Sequence, residues 1–65
     1  MDYDKAPKSW LTNFGLAKGY AATGDKTAAL KYADTSIQLA TYADAKNYVE
    51  RFRKTLAEGK DVSGF

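Results

Sequence analysis

The groups in this chain that could do chemistry are its aspartates, five tyrosines and a cluster of late cations. Asp25, Asp34 and Asp44 are dispersed, and two of them are placed to cap helices, so no carboxylate pair stands out for acid–base work. Cysteine and histidine are absent. That removes the thiolate nucleophile, the imidazole base and the commonest metal ligand, and with them disulfides and Cys/His zinc sites. Tyr3, Tyr20, Tyr32, Tyr42 and Tyr48 are more economical as core or rim aromatics than as catalytic acids. The expectation is a non-enzyme with no cofactor and no metal.

The cations Lys46, Arg51, Arg53, Lys54 and Lys60 lie near Tyr48 and Phe52, a combination that could meet nucleic acid. Phosphate contacts need such cations on one side. Arg51 falls on a different helical face from Lys46 and Arg53, Glu50 and Glu58 interrupt the run, and both aromatics are needed for a core. Nucleic-acid binding through this segment is therefore the minor alternative. Across the chain, ten lysines and arginines stand against eight aspartates and glutamates, interspersed as on an ordinary solvated surface. No apolar run approaches the roughly 20 residues that span a bilayer. The opening Met1-Asp2-Tyr3-Asp4-Lys5 lacks the pattern of a signal peptide. A soluble chain with no membrane partner is expected, in an unspecified compartment.

The elements that must position these groups are helices. Trp10, Phe14 or Asn13, Leu16, Ala17 and Tyr20 recur at three- and four-residue intervals and predict one face of a first helix, from about Pro7 or Ser9 to Thr23. Asp4 and Ser9 are candidate N-caps. Gly24 offers a positive-φ stop, and Asp25 directly after it offers a start. A second helix is predicted from Lys26 to about Ala40, with Ala29, Leu30, Ala33, Ile37 and Ala40 inward and Lys31, Asp34 and Gln38 outward. Thr41 is the expected cap of a third helix from Tyr42 to Glu58, with Asp44 favouring its N-terminal dipole. Ala45, Tyr48, Val49, Phe52 and Leu56 form its apolar stripe, and Gly59 stops it. The resulting division is a lead-in over 1–8, an all-α domain of three antiparallel helices over 9–58, and a tail over 59–65. The tail has no periodic pattern and is expected to fray. A Gly-Asp connection is too short to do anything but fold the first two helices back as a hairpin, with Ala17, Ala21, Ala29 and Ala33 allowing close approach. The third helix should cover the remaining apolar side. With 65 residues there is room for one domain, and a core this small rarely supplies more than roughly 3–5 kcal/mol.

The string Leu16, Ala17, Tyr20, Gly24, Asp25, Ala29 and Leu30, continued by Tyr32, Ser36, Ile37 and Leu39, resembles a tetratricopeptide repeat (TPR). The match covers about one repeat, Trp10 to Thr41. Asn13, Leu16, Ala17 and Tyr20 recur as Ala45, Tyr48, Val49 and Phe52, slightly short of the family's period of about 34 residues. The third helix thus resembles the start of a second repeat or a capping helix. Asn13 stands where the family usually has Trp, and the closing proline is missing near Thr41.

The resemblance implies a non-catalytic interaction or scaffold module with a ligand groove lined by Leu11, Phe14, Gly15, Lys18 and Ala22, then Lys46, Asn47, Glu50, Arg53 and Lys54. That is an apolar strip beside a mostly basic one, suited to a protein or peptide with an apolar anchor and a carboxylate. Solvated lysines on an outward face are the plainer explanation of the same residues. Gly15 and Gly19 each cost about 1 kcal/mol against Ala in a helix interior. A close backbone approach is expected there, by the second helix or else by a peptide or a second copy. The alternative function is structural: a terminal repeat of a longer protein, or a self-associating helical unit forming a homo-oligomer.

Overall fold

The computed structural model describes residues 9–65, so the lead-in, the Asp4 cap and the start at Pro7 lie outside the described residues. It contains three helices, α1 (Trp10–Ala22), α2 (Lys26–Leu39) and α3 (Ala43–Ala57), and no strand among the described residues. This is an all-α three-helix bundle, compatible with a helical repeat.

Local hydrogen bonds set each boundary. Ser9 caps α1, its hydroxyl accepting from the Leu11 N–H at 3.1 Å. At the other end Gly24 takes φ of 87°, its N–H bonds the Ala21 carbonyl, and the Asp25 N–H bonds the Tyr20 carbonyl at 2.9 Å. That pair of bonds is a Schellman closure. Asp25 also caps α2, accepting from the Ala28 N–H at 3.1 Å, so one residue ends one helix and begins the next. Gly59, at φ 79°, repeats the closure after α3, with its N–H on Leu56 and the Lys60 N–H on Thr55. The start of α3 departs from expectation. Tyr42, not Thr41, is the N-cap, and no side chain caps it, leaving Asp44 in the first turn to favour the helix dipole.

The core is small. Ala17, Ala29 and Ala33 are fully buried and bring α1 and α2 together, while Phe14, Val49, Phe52 and Leu56 fill the space toward α3. Phe14 and Phe52 meet edge to face at 5.0 Å, and Trp10 lies edge-on to Tyr42 at 6.4 Å, joining the beginnings of α1 and α3. Tyr20 and Tyr32 stack in parallel at 5.4 Å across the hairpin. Side-chain hydrogen bonds add long-range links: the Ser36 hydroxyl donates to the Trp10 carbonyl, and the Lys26 ammonium donates to the Ala57 carbonyl at 3.1 Å. Arg53 pairs with Asp34, fastening α3 to α2 on the solvent side.

Three expectations are corrected here. Leu16 does not share the buried face of α1; it is 42% exposed. Its helix is apolar on nearly all sides, with Lys18 its one charged residue, so spacing could not fix which face turns inward. Gly15 and Gly19 are not approached by α2. A Cβ built at either position would meet nothing within 4 Å. The tail is seated on the bundle and not detached from it. Val62 and Phe65 pack against the core, because a bundle of three short helices leaves the aromatic edge of α3 open and these side chains close it.

Candidate functional site

The ten residues expected to line a groove fall into separate places. Phe14 is 4% exposed and belongs to the core, in contact with Trp10, Tyr48 and Phe52. Its ring is needed to join α1 to α3 and cannot anchor a partner. Leu11, Gly15, Lys18 and Ala22 are exposed on α1, with Leu11 the most accessible large apolar side chain among the described residues at 61%. Lys46, Asn47, Glu50 and Lys54 are exposed on α3, opposite its buried stripe of Ala45, Val49, Phe52 and Leu56. Arg53 is turned to Asp34 on α2. The apolar and basic halves therefore do not make one strip, because the edge of α3 nearest α1 carries Tyr48 and Phe52.

On α1 the exposed residues form two neighbouring features. Gly15, Leu16, Gly19, Tyr20 and Thr23 line a shallow apolar depression. The absent side chains of the glycines make its floor, and Leu16 and Tyr20 make its wall. Around the helix, Lys18, Ala21 and Ala22 line a cavity of about 320 Å³ whose opposite wall is Asp61, Val62, Ser63 and Phe65. The Lys18 ammonium sits 5.0 Å from the centroid of the Phe14 ring, a cation–π contact that turns the helix's one charge away from the glycine side.

Electrostatics around these features are mild. Asp61 accepts from the Ser63 N–H at 3.0 Å and from its hydroxyl at 2.9 Å, and these bonds, the main-chain one first, hold its carboxyl below the usual range. No group of three potential metal ligands converges among the described residues. On α3, Glu50 stands between Lys46 and the later Arg51 and Lys54, Arg53 pairs with Asp34, and beyond the helix Glu58 pairs with Lys60, so the cations do not form an unbroken positive face. No helix among the described residues is long and apolar enough to cross a membrane.

The wall formed by Val62 and Phe65 was not anticipated from sequence. The available signal was two apolar residues three positions apart in a segment otherwise polar or glycine. Comparison with family models finds no match to this chain, and comparison with curated proteins and with solved structures finds none either.

Proposed function

We propose that the chain is a non-catalytic interaction module of tetratricopeptide type, binding a protein or peptide through the outer face of α1. One observation carries this reading: α1 buries one apolar side and exposes another, with Leu11 and Leu16 standing beside the open backbone at Gly15 and Gly19. A helix apolar all round normally has neighbours all round. Here the bundle supplies them on one side only, and a partner helix or extended segment would bury the other. The glycines support the reading further, since nothing among the described residues explains the helix stability that they forfeit.

The test uses the full chain with Leu16→Glu and Gly15→Arg, neither of which touches the buried core. A monomer by light scattering that captures a defined partner, and loses it in both variants while keeping its helical circular dichroism, supports the module. A dimer that dissociates in both variants replaces the partner with a second copy and favours the self-associating unit. A monomer whose interactions ignore both variants overturns the assignment of this face.

A further inference from the structure

The segment after α3 has no regular structure, yet it is seated. Beyond the closure of α3 the chain turns back on itself, with the Asp61 carboxylate accepting from Ser63 and the Phe65 N–H reaching the Val62 carbonyl at 3.1 Å. The turn presents Val62 and Phe65 together. Both are half-buried against the core. The Phe65 ring lies 5.6 Å from the centroids of Tyr48 and Phe52, edge-on to each, and the Tyr48 hydroxyl donates to the Phe65 main-chain oxygen at 2.7 Å. On the α1 side the fit is looser, which leaves the cavity bounded by Lys18, Ala21 and Ala22.

We propose that the cleft between α1 and α3 is a second docking groove, for a peptide carrying an aliphatic residue followed three positions later by an aromatic one, and that residues 61–65 are its resident occupant. The proposal deepens the interaction-module reading but uses a different surface from the outer face of α1. Two observations favour exchange over permanent packing. The segment's own hydrogen bonds are local, and the bond from Tyr48 is the long-range one that holds it. Val62 and Phe65 are only half-buried and the residues between and before them are exposed, and segments with few buried contacts and exposed hydrogen bonds are those that open first.

The cleft is also larger than its occupant. A volume of about 320 Å³ lies within the range that receives small ligands, roughly 300 Å³ and upward. A tethered occupant competes at an effective concentration on the order of millimolar, so a partner in trans needs a contact that the tether lacks. The unfilled volume supplies one. A residue longer than Val at the aliphatic position would reach Ala21 and Ala22. An acidic residue before it, in the place of Asp61, would lie at the cavity that Lys18 also lines.

The experiment follows amide shifts of the ¹⁵N-labelled full chain as two hexapeptides are added: Lys-Asp-Leu-Ser-Gly-Phe, and the same sequence with Ala for Phe. Phe65→Ala should bind the first peptide at least about tenfold more tightly than the native chain does, with saturable shifts at Lys18, Ala22 and Tyr48, and should ignore the second. Equal affinity in the two proteins, or no saturable shift in Phe65→Ala, overturns the proposal. Should Phe65→Ala lose its helical signal, Val62→Ala decides, since it loosens the segment while leaving the walls on α1 and α3 unchanged. Peptide affinity no higher than that of the native chain then overturns the groove. Neither variant alters Leu16 or Gly15, so a partner held by the outer face of α1 would persist and the two assignments fail separately.

Discussion

The hydroxyl of Ser36 donates to the main-chain oxygen of Trp10 at 2.7 Å, tying the second half of α2 to the first turn of α1. Ser36 is fully buried, so this bond forms away from competing water. Ser36→Ala should destabilise the chain by about 1 kcal/mol, the usual net contribution of one such bond. Ser36→Val should cost more, about 1–3 kcal/mol, because it adds volume to a seam that alanines hold close. Urea unfolding followed at 222 nm measures both.

Gly15→Ala and Gly19→Ala should each stabilise the chain by about 1 kcal/mol, because a methyl group at either position meets open space and helix propensity alone decides the sign. A rise in the thermal midpoint is expected for each. A fall would mean that α2 or another element approaches these glycines after all.

Gly59 carries the opposite expectation. Its φ of 79° is unfavourable for a residue with a Cβ, so Gly59→Ala should destabilise by about 1–2 kcal/mol although the space around it is open. Loss of amide protection at Gly59 and Lys60, whose N–H groups close α3 on Leu56 and Thr55, would accompany it.

The turn at Asp61 should depend on pH. Its carboxyl lies below the ordinary value of 3.8 because Ser63 donates to the ionised form. A folded-state pKa below the unfolded one means that the stabilisation is complete at neutral pH and is lost as pH falls through the folded value. Side-chain carbon shifts of Asp61 should titrate below the model-peptide range, and in Ser63→Ala they should move back toward it.

How much of this was legible in the sequence depended on which residues break symmetry. Gly24-Asp25 can only stop one helix and start another, and α3 alternates charged and apolar residues cleanly enough to show Ala45, Val49, Phe52 and Leu56 as buried, although Tyr48, expected on the same stripe, is exposed at its edge. α1 lacks such contrast. With apolar residues around most of its circumference, spacing alone places Leu16 inside beside Phe14 or Asn13, whereas Phe14 and Asn13 are both buried, Phe14 against Phe52, and Leu16 is exposed. The groove expected on both helices failed for the same reason, since it relied on knowing the rotation of α1 and on placing the cations of α3 beside it. Val62 and Phe65 carry no periodicity, and their docking follows from a gap that appears only once the helices are assembled.

Asp25 serves two helices at once, and this has a bearing on the order of assembly. An elbow with no spare residue asks for almost no loop-closure entropy, so the α1–α2 pair should be the first structure to persist during refolding. α3 must then find a partner that is already formed, and substitutions at the elbow should slow refolding more than they speed unfolding.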